Sequence, residues 1–283
     1  MSSRPITVNS IQKFKQEGKK ITALTAYEYS TAKILDNSGI DIILIGDSLA
    51  MVALGYKTTH SVTVDEMLLF TRAVTRGTER ALVVADMPFM SYQTDKKTAV
   101  RNAGRFIKEA KAGAVKIEGA TKLTCKIIKQ CVESGIPVLG HLGFTPQFLH
   151  TLGGYNIQGK NLEATEMILN QAKLLEEAGA FGVVLEMIPE ESAKIITESL
   201  DIPTIGIGAG RYCSGQILVT DDLLGKYKDF TPKFARKYAD LASVITDATK
   251  SYIKDTVNGD FPSDNEVFKL NEEERERLKN ARS

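Results

Sequence analysis

Cysteine is scarce: the chain has three, Cys125, Cys131 and Cys213, with no CxxC spacing among them. An odd count without paired spacing argues against a disulfide framework or a zinc ribbon, and leaves buried free thiols as the reading. Histidine is as scarce, also at three residues. An excess of one charge is missing too, since 36 basic side chains face 35 acidic ones for a net charge of +1. That balance argues against a nucleic-acid surface or an anionic membrane as the main partner. No apolar run approaches the roughly 20 residues that span a bilayer. The opening MSSRPITVNSIQKFKQEGKK has neither the apolar stretch nor the cleavage site of a signal peptide, so a cytoplasmic location is expected. Residues 1–20 read instead as a helical segment starting after Asn9 and Ser10. With no linker, low-complexity tract or short repeat, residues 1–283 read as one domain.

What is there is regular. Short β-branched runs recur: KKITALTAY, DIILIGDS, ALVVADMPF, AVKIEG, IPVLGHLGF, AFGVVLEMIP, IPTIGIGAG and the weaker GQILVTDD. Between most of them lie stretches with apolar residues at three- and four-residue spacing, such as TVDEMLLFTRAVTRG and LEATEMILNQAKLLEEAG. Several end at glycine, the natural left-handed cap: Gly39, Gly113, Gly135 and Gly179. Continuous apolar strands alternating with helices imply a parallel sheet covered on both faces. Eight such units favour a (β/α)8 barrel, with an open doubly wound sheet as the alternative. From about Asp229 the chain turns helical and charged, with extra C-terminal helices and a charged tail over about 260–283.

The strand ends carry acids. IILIG runs into Asp47, LVVA into Asp86, AVKI into Glu118 and GVVL into Glu186. In a parallel barrel these ends converge on one rim, where Lys116 and His141 join them. Any one acid could be a helix cap, Asp86 before Met-Pro in particular, and His141 could be a satisfied core histidine. Four acids together are harder to place structurally. Burying an unpaired carboxylate costs several kcal/mol, against a domain stability of only about 5–15 kcal/mol. Clustered acids therefore need cations. Lys116 is one, and a hard divalent ion is the other. Oxygen ligands with few histidines and no cysteine cluster point to magnesium over zinc. A remaining carboxylate could then move protons. A Schiff-base role for Lys116 is the competing reading, opposed by the adjacent Glu118, which keeps the amine charged. GIGAG (206–210) follows a strand but lacks GxGxxG and GK[ST], so it reads as close backbone packing or a substrate-facing loop. LGGYNIQG could be a lid or a turn.

The segments TAYEYSTAKI, ILIGDSLAMVALGY, ADMPFMSY, VKIEG, GHLGFTPQ, GGYNIQG, VVLEMIP and IPTIGIGAG stand together in one order, and the chain closely resembles the ketopantoate hydroxymethyltransferase family from about Ile6 to Lys237. The resemblance implies a (β/α)8 barrel of the phosphoenolpyruvate/pyruvate type, commonly a decamer. It implies one Mg2+ per subunit held by Asp47, Asp86 and Glu118. It implies a ketoacid bound by Asp47, Ser48, Asp86 and Lys116 with His141 lining the site, and Glu186 as general base. It also implies 5,10-methylenetetrahydrofolate as co-substrate. Two features depart from the family pattern: His60-Ser61 stands where the family often has Leu-Pro, and the tail beyond about Phe261 matches nothing in it. A related magnesium-dependent barrel enzyme that works without folate, or a scaffold that has lost its chemistry, would share the rim but not the co-substrate.

Overall fold

Side chains alternate across a strand, so each strand here must satisfy two environments at once. The computed structural model describes residues 4–227 and 232–281; Asp229, where the sequence turns charged, lies outside them, as do the extreme ends of both terminal segments. Eight strands, β1 (Ile21–Thr25), β2 (Ile42–Ile45), β3 (Leu82–Asp86), β4 (Ala114–Glu118), β5 (Val138–Gly143), β6 (Gly182–Glu186), β7 (Thr204–Ile207) and β8 (Gly215–Leu218), close in sequence order into one barrel. Every pairing is parallel, including β1 with β8. Ile43, Ile45, Ala85, Val115, Ile117, Val183 and Leu185 face outward into the helix layer, whereas Ile42, Leu44, Leu82, Val84, Ala114, Leu139, Val184, Ile205 and Ile217 fill the interior. Both faces are apolar, which is why the strands read as continuous hydrophobic runs. Each buried aliphatic contributes about 1.5–3 kcal/mol.

The helices are α1 (Val8–Gln16), α2 (Tyr29–Asn37), α3 (Leu49–Val52), α4 (Val64–Arg76), α5 (Lys96–Lys108), α6 (Lys122–Glu133), α7 (Leu149–Leu152), α8 (Leu162–Glu177), α9 (Glu190–Glu198), α10 (Thr220–Leu223), α11 (Leu241–Asn258) and α12 (Glu272–Asn280). The seventh crossover departs from the regular pattern: residues 208–214 join β7 to β8 without a helix. The N-terminal helix also starts earlier than expected. Thr7 is its cap and Ser10 completes a capping box from inside the first turn. Ile6 and the fully buried Ile11 join the interior cluster at the strands' N-terminal ends, so α1 closes that mouth. Lys15 fixes it there, donating from Nζ to the carbonyls of Thr197, Leu200 and Ile202 at the end of α9.

Of the four expected glycine caps, Gly39, Gly135 and Gly179 have positive φ, but Gly113 does not. There Lys111 takes the left-handed conformation at φ 61°. Gly113 is needed for space: a Cβ on it would lie 2.7 Å from Leu82 Cδ1. No described helix is long and apolar enough to cross a membrane. Among the described residues, α11 and α12 bury none of their own side chains; α11 exposes Val244, Ile245, Tyr252, Ile253 and Val257.

Candidate active site

Parity assembles the site. Ala114 faces the interior, so Lys116 and Glu118, two and four residues on, face it too. By the same count Leu82 and Val84 lead to Asp86, Leu139 to His141, and Val184 to Glu186. The register sets Asp86 beside Lys116 and Glu118 beside His141 across neighbouring strands. Asp47 joins from the turn after β2, with its backbone N–H donating to Asp86 Oδ2 at 2.9 Å. All seven residues expected at the site thus lie around one cavity at the strands' C-terminal ends, and Asp86 caps no helix. Gly143 lets β5 end against β6: its φ is +92°, and a Cβ there would sit 2.2 Å from the Glu186 carbonyl oxygen. Met187, directly after Glu186, is held at φ 50°, a strained conformation for a non-glycine residue that aims the preceding side chain.

Lys116 is the electrostatic centre. Its Nζ lies 2.9 Å from Asp86 Oδ1 and 3.6 Å from Glu118 Oε1, with the side chain almost fully buried. Burial alone would discharge the amine, but Asp86, Glu118 and Asp47 together hold its pKa above the usual lysine value. His141 Nδ1 is 3.1 Å from both Lys116 Nζ and Glu118 Oε1, and Nε2 is 3.2 Å from Glu186 Oε2, off the direction of a good hydrogen bond. Burial and Lys116 push the imidazole down; Glu118 and Glu186 outweigh them and raise it to about 9. The protonated ring donates to Glu118 and faces Glu186, and its like-charge contact with Lys116 is offset by Asp86. Glu118 is correspondingly held below the ordinary carboxylate range despite burial, by His141, Lys116 and a backbone N–H.

Asp47 is the unbalanced member. Burial, Asp86 and Glu118 all raise its carboxyl well above the usual range, and Lys116 and Gln147 only partly offset them. Asp86 is raised as well, chiefly by burial, against the pull of Lys116. A buried set of three carboxylates with Asp47 lacking a cation of its own fits an oxygen-seeking divalent ion. Among the described residues no three carboxylate, histidine or cysteine side chains already enclose a metal-sized position. Glu118 is the reason visible in the contacts: His141 engages one of its oxygens, and the Gln147 backbone N–H the other at 3.0 Å.

Gln147 is the residue that sequence reasoning missed, although it closes the GHLGFTPQ segment. It is 3% exposed. Its Nε2 donates to Asp47 Oδ2 at 3.0 Å and to the Met87 carbonyl at 2.9 Å, while its Oε1 accepts from Tyr92 and Gln93. It lies in a single 3-10 turn, Pro146–Phe148, and nothing in the amino-acid pattern marks its side chain as buried. The His60 departure leads to the same residue: His60 Nε2 lies 3.1 Å from the Gln147 carbonyl oxygen, and the ring meets Phe89 edge-on and stacks on His150. Gln147→Leu should strand the Asp47 carboxylate, the Met87 carbonyl and Tyr92. A loss of about 2–4 kcal/mol is expected, read as a melting temperature roughly 5–10 °C lower. Gln93→Ala, which removes one partly exposed donor, should stay within about 1 kcal/mol. Equal melting temperatures for the two variants would contradict this role.

The cavity has a volume of about 540 Å³. Ser48 lines it and pairs with the Tyr27 hydroxyl at 2.9 Å. Tyr155 of the GGYNIQG loop lines it too, its ring 5.0 Å from Phe144, so this loop reaches the site.

A family model described as ketopantoate hydroxymethyltransferase matches residues 5–264. A 3-methyl-2-oxobutanoate hydroxymethyltransferase of Clostridium botulinum (strain Langeland) is 54% identical over 267 residues, covering 94% of this chain and 97% of that protein. One from Thermoanaerobacter sp. (strain X514) is 53% identical over 269 residues, covering 95% and 98%. Among solved structures, phosphonopyruvate hydrolase complexed with oxalate and Mg++ superposes with TM-score 0.60 at 14% identity, over 98% of this chain and 99% of that one. The 2,3-dimethylmalate lyase, a member of the PEP mutase/isocitrate lyase superfamily, does so with TM-score 0.60 at 15% identity, over 98% of each. At those identities the structural likeness concerns the barrel fold alone.

Proposed function

The chain belongs to the ketopantoate hydroxymethyltransferase family and is an enzyme of that class; from this premise we propose that it converts 3-methyl-2-oxobutanoate, 5,10-methylenetetrahydrofolate and water into 2-dehydropantoate and tetrahydrofolate, a step in pantothenate synthesis. The observation that carries the reading is the pairing of a buried Lys116 with three buried carboxylates, joined through His141 to the more open Glu186. Asp47, Asp86 and Glu118 supply the oxygens for one Mg2+ per subunit. When bound, that ion supplies Lewis-acid stabilisation of charge on the substrate's keto oxygen.

The chain's own residues do the rest. Lys116 presents a permanent ammonium to the ketoacid's carboxylate or keto oxygen, in a site where burial strengthens its effect. Asp47, Ser48 and Asp86 line the same position. Water cleaves the two C–N bonds that hold the one-carbon unit, its protons passing to the folate nitrogens and its oxygen staying on the carbon. Glu186 takes the C3 proton, the C3 carbon bonds to that carbon, and the proton returns to the new alkoxide as the hydroxymethyl group forms. His141, between Glu118 and Glu186, orients the base.

The chain acts in the cytoplasm, as one barrel domain, within a homo-oligomer that is a decamer by family resemblance. The exposed apolar residues of α11 support association, because such a surface is normally covered.

The decisive assay measures 2-dehydropantoate formation with Mg2+ and methylenetetrahydrofolate each present or omitted. Product is expected only when both are present, and EDTA should abolish it. Binding of magnesium should also raise the melting temperature: at a hundred times its Kd, an ion stabilises by about 2.7 kcal/mol. Ketoacid turnover without folate would replace this reading with a folate-independent barrel enzyme.

A further inference from the structure

One wall of the cavity takes no part in holding the ketoacid or the metal. It begins where β8 ends. The Thr220 backbone N–H donates to Thr25 Oγ1 at 3.0 Å and anchors α10 to the end of β1. The two acids that follow are handled differently. Asp221 pairs with Lys226 at 3.2 Å. Asp222 is 8% exposed and lines the cavity, yet its carboxylate has no hydrogen bond or ion pair with any described residue. Burial, then the neighbouring Asp221, raises its carboxyl to about 6 against a pull from the exposed Lys237. It is therefore a mostly charged group at neutral pH that has no donor among the described residues and presents its oxygens to whatever fills the cavity.

The rest of this part of the lining is apolar or aromatic: Ile217, Val219, Tyr227 and Phe234 line the same cavity as Asp222. Phe234 lies on the GIGAG turn, where a Cβ on Gly208 would come within 2.7 Å of the ring. The turn thus packs closely against an aromatic side chain. Tyr155 bridges this wall to the reacting end: burial, then Glu186, then Tyr227 raise its hydroxyl.

The two proposed reactants differ in what they can offer this carboxylate. The ketoacid carries only oxygen acceptors and a negative charge, so Asp222 would repel it. A reduced pterin carries a ring N–H and an exocyclic amine side by side, a two-donor fork that matches the two oxygens of a carboxylate. Its flat bicyclic ring suits an aromatic wall. We propose that Asp222 is the specificity residue for the one-carbon donor, accepting paired hydrogen bonds from the N3–H and 2-amino group of a pterin ring that packs against Phe234 and Tyr227. This rests on the folate reading above, and assigns that co-substrate a place.

The test is calorimetric titration of the magnesium-loaded enzyme with tetrahydrofolate and with its 2-desamino-2-methyl analogue, which lacks half of the fork. Wild type should bind the analogue about tenfold to a hundredfold more weakly, the range for hydrogen bonds to a charged group. Asp222→Asn should weaken tetrahydrofolate by a similar factor and lose most of the discrimination, with KM for methylenetetrahydrofolate rising more than kcat falls. Equal affinity of wild type for both ligands, or unchanged tetrahydrofolate affinity in Asp222→Asn, overturns the assignment while leaving folate as donor. Wild type that neither binds tetrahydrofolate nor requires methylenetetrahydrofolate overturns the folate reading, and this inference with it.

Discussion

Glu186→Gln is expected to bind 3-methyl-2-oxobutanoate nearly as well as wild type while exchanging its C3 proton with solvent roughly a hundredfold to ten-thousandfold more slowly, the usual span for loss of a general base. Access sets Glu186 apart from the acids around Lys116. Asp86 and Glu118 side chains are 2% and 1% exposed and tied to Lys116 and His141. Glu186 is 16% exposed, lines the cavity and pairs with His141. That exposure leaves one of its oxygens able to approach a substrate carbon. Glutamine keeps its shape and removes its basicity, so the fixed conformation at Met187 and the close approach of Gly143 should be undisturbed. Deuterium uptake at C3, followed by NMR with ketoacid and Mg2+ but no folate, isolates this step from everything later. Exchange at the wild-type rate would remove Glu186 from the role; lost ketoacid binding would make it a binding group instead.

Much of this site could be read before any coordinates, and the reason is geometric. A strand fixes the side-chain direction by parity, so AVKIE in a parallel barrel already dictates that Lys116 and Glu118 point inward together. Strands of the same handed barrel end at one rim, which brings Asp86, His141 and Glu186 to them. What stayed hidden lies in segments without a period. Gln147 sits in a single 3-10 turn (Pro146–Phe148), too short to show a period, and its burial depends on Tyr92 and Gln93 from the loop after β3. The purpose of His60 depends on Gln147 in turn. Asp222 could not be told from Asp221 by pattern, because the difference between them is a single nearby lysine. The missing helix between β7 and β8 was also illegible, since IPTIGIGAG and GQILVTDD look like any two strands with a short link.

Lys116→Met should be the most destabilising single change at this site, by roughly 3–5 kcal/mol, because it removes one partner of a buried charge cluster and leaves the others uncompensated. For a chain of this size that lowers the melting temperature by about 10 °C. The pH dependence has a definite sign. The lysine's folded pKa is raised, so its contribution is fully present below its unfolded value and vanishes only as pH rises through the folded one. The whole effect is therefore visible at pH 7.5. In the variant, Asp47 and Asp86, already raised, lose the ammonium that held them down. A carboxylate with a raised folded pKa is destabilising above that pKa and is relieved as pH falls through it, so the gap to wild type should shrink between pH 7.5 and pH 5.5. Removing the negative partner as well should help further: Lys116→Met with Asp86→Asn should be more stable than Lys116→Met alone, the non-additivity expected of groups 2.9 Å apart. Thermal denaturation of wild type, Lys116→Met and the double variant at both pH values, without added metal, checks each step. A Lys116→Met protein within about 1 kcal/mol of wild type at pH 7.5, with no change at pH 5.5, would mean that the carboxylates are neutral without their lysine, and that the charge imbalance behind the proposed metal site does not exist.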